Sequence, residues 1–120
     1  MANILVIDDD EAMAESVISL FSLRGHQCSF ARSRLEAEIQ VNRWEDLGVP
    51  FDIVISDWDL RPYDIRTGAE ICTYLRDNTA PQARYIIWSG LDRKVPEWAS
   101  FYRKDSSDAL FEEVEKVSTM

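Results

Sequence analysis

Residues 53–57 read Ile-Val-Ile-Ser-Asp, an apolar run of strand length that stops abruptly on a carboxylate, with a second acid at Asp59. The run lacks polar alternation, so neither face of such a strand is built to meet water. It belongs inside a parallel sheet covered on both sides. That requirement reaches well beyond one strand. Parallel neighbours need crossovers, usually helical, between consecutive strands. All strand carboxyl ends then lie along one edge, where open α/β sheets gather their chemistry. Asp57 falls on that edge.

The rest of the chain supplies what such a sheet needs. Asn3 to Ile7 and Arg84 to Ser89 are further buried-strand runs, and Gln27–Ala31 and Ser100–Arg103 are weaker ones. Met13, Val17, Leu20 and Phe21 recur at helical spacing up to Gly25, a helix-stop residue. Ser33 with Glu36 is a capping signature, followed by Leu35 and Ile39 on one helical face, in a helix expected to dissolve between Asn42 and Leu47. Thr67 with Glu70 repeats the signature ahead of Ile71, Cys72 and Leu75. A last helix, capped by Ser106 or Ser107, turns Leu110, Phe111, Val114 and Val117 inward. Alternating strands and helices predict one α/β domain over 1–120, a single open parallel five-stranded sheet with helices on both faces. The stretch 90–100 is close to the lower limit for a helical crossover and contains Gly90 and Pro96, so the fourth helix is expected to be short or degenerate.

Composition narrows the function. The net charge is −9, with 22 acidic residues against 13 basic, which excludes the basic footprint that direct nucleic-acid binding requires. A hydrophobic content of 46% excludes disorder. No apolar run is long enough to span a bilayer and no basic leader opens the chain, so a cytoplasmic protein without membrane partners is expected. Cys28 and Cys72 have no metal-ligand spacing and read as reduced core thiols. His26, just after Gly25, reads as a surface residue.

Four strand ends carry chemistry: Asp8 with Asp9, Asp57, Ser89 and Lys104. One acid at the start of a helix serves as a cap, but Asp8, Asp9, Asp10 and Glu11 exceed that need. If Asp8, Asp9 and Asp57 converge, a like pair 4 Å apart costs roughly 4 kcal/mol at an effective dielectric of 20. A hard divalent cation such as Mg2+ relieves that repulsion, and Lys104 adds a further positive charge. The result is a site suited to an incoming phosphoryl group, with Asp57 as nucleophile and Ser89 as hydroxyl donor.

Ile-Leu-Val-Ile-Asp-Asp at 4–9, Ile-Val-Ile-Ser-Asp at 53–57, Ile-Ile-Trp-Ser-Gly at 86–90 and Phe-Tyr-Arg-Lys at 101–104 occur in that order on successive strands. Through these motifs nearly the whole chain resembles the receiver domains of two-component response regulators, the chemotaxis-regulator fold. The resemblance implies a flavodoxin-like strand order 2-1-3-4-5. It makes Asp57 the phosphoacceptor, with Mg2+ (or Mn2+) held by Asp8, Asp9, Asp57 and the backbone carbonyl of Asp59. Ser89 becomes the switch hydroxyl, Phe101 the switch aromatic and Lys104 the phosphate partner. The implied partners are a histidine kinase or phosphotransfer protein as donor and a downstream protein as reader. Implied activity is limited to self-phosphorylation and self-dephosphorylation, and with no output segment after Val117 the expected form is a stand-alone or excised receiver.

Several features depart from that pattern. The loop from Asp57 to Gly68 is longer by about three residues and adds Arg61, Tyr63 and Arg66, either as a solvated surface or as groups that approach the phosphoryl site or a partner. Asp105 stands where the family usually has proline. Trp88 is expected in the core, whereas Trp58 either shields the site or caps the loop. Two other readings stay open: a receiver-like binding module that works without phosphorylation, and a haloacid-dehalogenase-type phosphohydrolase using Asp57-Trp58-Asp59 as nucleophile and acid-base pair.

Overall fold

The computed structural model describes residues 1–104 and 107–118. Its strands are β1 (Asn3–Ile7), β2 (Gln27–Ala31), β3 (Ile53–Ser56), β4 (Arg84–Ser89) and β5 (Ala99–Arg103). The helices are α1 (Glu11–Leu23), α2 (Arg34–Asp46), α3 (Gly68–Asn78) and α4 (Ser107–Ser118). Among the described residues the strands form one sheet, all pairs parallel, in the order β2-β1-β3-β4-β5. The expected class and strand order are both present.

Strand alternation divides the core in two. Leu5, Ile7, Val54, Tyr85 and Ile87 point to one face, where Ala37 and Val41 of α2 and Ile71, Cys72 and Leu75 of α3 meet them. Ile4, Val6, Ile53, Ile55, Ile86 and Trp88 point to the other, covered by Ala14, Val17 and Phe21 of α1 and by Leu110 and Val114 of α4. Every residue of β1 and β3 is buried, as an unalternating run requires. No helix among the described residues is long and apolar enough to cross a membrane.

Local signals place the helix ends. Asp10 caps α1 by accepting from the Met13 N–H. Its far end closes at Gly25 (φ 85°), with Gly25 N–H bonded to the Ser22 carbonyl and His26 N–H to the Phe21 carbonyl, a Schellman turn. Thr67 and Glu70 form the reciprocal capping box of α3. At α2 only half of the box forms: Ser33 accepts from Glu36 N–H, while the Glu36 carboxylate takes the Arg32 N–H and guanidinium. Asp105, where an altered turn was expected, and Ser106, one of the two expected caps, lie outside the described residues.

Three expectations need correction. Leu35 and Ile39 are exposed (57% each), and α2 buries Ala37 and Val41 instead. The Ser33 cap sets the helical phase, and Trp44 holds it by donating from Nε1 to Ser29 Oγ at 3.0 Å. Likewise Met13 and Leu20 lie on the outer side of α1, leaving Val17 and Phe21 to the core. His26 is not at the surface but buried. Its Nδ1 accepts from the Ala2 N–H (3.0 Å), which puts the ring proton on Nε2, facing Glu115 of α4 at 3.0 Å. That bond holds the Glu115 carboxyl below its ordinary value. Cys28 and Cys72 are both free, Cys72 fully buried and Cys28 half-buried.

Between β4 and β5 the reduced crossover helix is reduced to irregular chain. The sheet face that it leaves is covered by side chains. Val95 and Trp98 pack on the core, with the Trp98 ring edge-on to Tyr85 at 5.5 Å and the Arg76 guanidinium 4.8 Å above Trp98. Trp98→Ala is therefore expected to lower unfolding stability by about 2 kcal/mol, read as a fall in the urea midpoint at unchanged slope, since this ring is only partly buried. An unchanged midpoint would show that Trp98 is not what closes this face.

Candidate functional site

The residues singled out at the strand ends meet at the carboxyl edge. Backbone pairing carries each one there: Asp57 N–H extends β3 onto the Ile7 carbonyl (2.8 Å), Asp8 N–H bonds to the Ala31 carbonyl (3.1 Å), and Lys104 N–H bonds to the Ser89 carbonyl (2.8 Å). Asp8 is buried, and Asp57 keeps 13% of its side chain exposed. Lys104 Nζ lies 3.4 Å from Asp57 Oδ2 and 3.6 Å from Asp8 Oδ2, so one ammonium bridges two strands' carboxylates. Asp9 completes the group, with one carboxylate oxygen from each of Asp8, Asp9 and Asp57 within 4.8 Å of the others.

The remaining oxygens are partly committed. Asp8 Oδ1 accepts from Asp10 N–H (2.9 Å) and Asp57 Oδ1 from Trp58 N–H (2.8 Å). Burial pushes the Asp8 carboxyl up from 3.8 to about 7, opposed by the Asp10 N–H and Lys104 and reinforced by Asp57 and Asp9. Burial also raises Asp57, against the pull of Lys104 and the Trp58 N–H. Three hard oxygen donors, with the Asp8 and Asp57 carboxyls raised by burial, and one nearby ammonium fit a divalent cation such as Mg2+ or Mn2+.

Ser89 is buried at the end of β4, its Oγ accepting from Leu91 N–H at 3.3 Å. Phe101 is half-buried on β5, two residues from Lys104's strand end, and packs on the α2/α3 side of the core. Trp88 lies in the opposite core, as expected, with Lys104 Nζ 5.3 Å from its ring centroid. Trp58 is half-buried against the core with the Arg93 guanidinium stacked 5.2 Å over it, so it both packs and caps the loop. Asp59 does not point at the carboxylate group: Arg61 donates to it from Nε (3.0 Å) and Nη2 (2.7 Å) and holds its carboxyl down at about 2.

Sequence reasoning passed over Gly68 and Asp64. A Cβ on Gly68 would overlap the Asp57 carbonyl oxygen and come within 2.7 Å of Ser56 Oγ, so only glycine lets α3 start this close to the nucleophile's backbone. Asp64 is buried in the loop and accepts from the backbone N–H groups of Arg34 (2.8 Å) and Arg66 (3.0 Å), pinning the loop to the start of α2. Thr67-Gly68 at a capping box and the Asp64-x-Arg66 turn were the available signals.

Comparison with solved structures places this fold among response regulator receiver domains. The Francisella response regulator 1452 receiver domain matches with a TM-score of 0.77 and 23% identity, over 98% of this chain and 96% of that one. The receiver domain of the hybrid histidine kinase CckA matches with a TM-score of 0.77 and 22% identity, over 96% and 97%. TrrA of Thermotoga maritima, solved in complex with Mg2+ and BeF, matches with a TM-score of 0.74 and 22% identity, over 98% and 99%; it has also been solved in complex with the histidine kinase ThkA. The chain thus has the CheY-like receiver fold. No protein-family model and no curated protein matches it in sequence.

Proposed function

We propose that the protein is a phosphoacceptor signalling domain of a two-component or phosphorelay system, taking a phosphoryl group from a phosphohistidine donor onto Asp57. The observation that carries this reading is the Lys104 ammonium set between Asp57 and Asp8, beside a third carboxylate, at the edge of a receiver fold. Asp57 Oδ attacks phosphorus and the donor's P–N bond breaks, leaving the imidazole with the bonding pair and an acyl phosphate on Asp57. Lys104 neutralises a transferred oxygen. When bound by Asp8, Asp9, Asp57 and the Asp59 carbonyl, Mg2+ or Mn2+ supplies further neutralisation of the phosphoryl charge.

Ser89 then turns its hydroxyl from the Leu91 N–H towards the phosphoryl group. Because the Ser89 carbonyl is bonded to Lys104 N–H, the ends of β4 and β5 respond together, and Phe101 follows. With no helix between these strands, the surface that changes is the irregular segment after Ser89, which a partner protein reads. The donor is a histidine kinase or phosphotransfer protein, in keeping with the kinase complex of TrrA.

The phosphohydrolase reading needs Asp59 as a proton donor. A carboxyl held near 2 and clamped by Arg61 is ionised throughout the neutral range, which disfavours that role. The phosphorylation-independent module is favoured by the missing crossover helix alone. Tryptophan fluorescence separates it from the phosphoacceptor: Trp58 adjoins Asp57 and Lys104 lies over Trp88, so Mg2+ and then beryllofluoride are each expected to change emission in a saturable way. A silent titration contradicts the phosphoacceptor.

A further inference from the structure

Beside the site, the loop after β3 and the segment after β4 enclose a groove of about 270 Å³, lined by Trp58, Asp59, Arg61, Ile65, Arg66 and Arg93 among others. Its three guanidinium groups sit on a chain whose net charge is −9; Asp59 pairs with Arg61, and Asp64, just outside the lining, pairs with Arg66, which leaves Arg93. Arg93 stacks on Trp58 and makes no ion pair within 4.0 Å among the described residues. Ile65 is 88% exposed and offers apolar surface between the charges.

The groove is held in place before anything binds. Arg61 is fixed by Asp59, and Arg66 by Asp64, which also accepts from the Arg34 N–H on α2. The loop's far end is tied by Gly68 N–H to the Trp58 carbonyl at 2.7 Å and by the Asp59–Thr67 bridge. Little ordering therefore remains to oppose binding. A guanidinium with no carboxylate in ion-pair contact selects one through paired N–H donors, and a positive site on an acidic protein steers an acidic partner to one place. The volume suits one or two residues of extended chain and is too small for a helix.

We infer that this groove docks an acidic, extended segment of the partner protein that approaches Asp57, with Arg93 taking a carboxylate and Ile65 and Trp58 its apolar surface. The partner's role in phosphoryl transfer rests on the phosphoacceptor reading; the docking itself does not. An electrostatic site of this kind weakens steeply with added salt.

The test is an NMR titration of the 15N-labelled chain with tetraglutamate, with tetraglutamine and inorganic phosphate as comparators. Saturable shifts are expected at the Trp58 indole and across residues 59–67 and 93, for tetraglutamate only, and weakened at least tenfold in Arg93→Glu but far less in Arg93→Lys. Arg93 is exposed, so an unchanged thermal midpoint will show that the variant is folded. Equal shifts with tetraglutamine or with phosphate alone, or undiminished binding by Arg93→Glu, overturn the inference. Peptide binding without phosphorylation of Asp57 leaves the groove standing and removes the phosphoacceptor; phosphorylation without peptide binding does the reverse.

Discussion

Asp57→Asn is expected to stop phosphoryl incorporation from a small donor such as acetyl phosphate, a loss on the order of a thousandfold or more in rate, while leaving the fold intact. The amide is close in size to the carboxylate and can still accept the Trp58 N–H bond that Asp57 Oδ1 receives. What it lacks is a charged oxygen able to form an acyl phosphate. It also sheds one of the negative charges facing Lys104, so its thermal midpoint should not fall. Retained incorporation would move the nucleophile elsewhere, and Asp8 and Asp9 would be the next carboxylates to map.

The second large effect concerns stability. Asp8 ionises near 3.8 in the unfolded chain and about 7 in the folded one, so between those values the folded state binds more protons. Stability should then fall as pH rises through that window and reach its low plateau above about 7. Asp57 is raised in the same direction and adds to the slope. Each pKa unit corresponds to about 1.4 kcal/mol, and the acids titrate together, so Asp8→Asn should stabilise the metal-free protein at pH 8 by on the order of 2–4 kcal/mol. Near pH 4 the gain should vanish. Mg2+ should stabilise the unmutated chain by relieving the same repulsion and do much less for the variant. Urea unfolding at several pH values, with and without Mg2+, measures all of this. A variant less stable at pH 8, or a wild type whose metal-free stability climbs from pH 4 to 8, contradicts the electrostatic account.

Much of this was legible in the sequence because it depends on short-range signals. Unalternating runs at 3–7, 53–56 and 84–89 announce strands buried on both faces, and their parallel pairing sends Asp8, Asp57, Ser89 and Lys104 to one edge. Caps at Asp10, Ser33 and Thr67 follow from local hydrogen bonding. The misses depend on tertiary context. Leu35/Ile39 and Ala37/Val41 are both spaced one helical turn apart, and greater hydrophobicity pointed to the wrong pair; close packing on the sheet selects the smaller one. His26 is buried by partners 24 and 89 residues away, which no local pattern encodes. Trp98 closes the sheet in place of a helix, and Arg93 finds Trp58 across a gap of 35 positions. The loop beyond Asp57 was recognised as unusual, but its ion pairs became visible only in three dimensions.

The most direct test of the central claim is to incubate the protein with Mg2+ and acetyl phosphate or phosphoramidate and measure its intact mass, followed by peptide mapping. The account predicts a gain of one phosphoryl group, stable to acid and labile to base, on the peptide that contains Asp57. No gain from any such donor, with the divalent cation demonstrably bound, would contradict it.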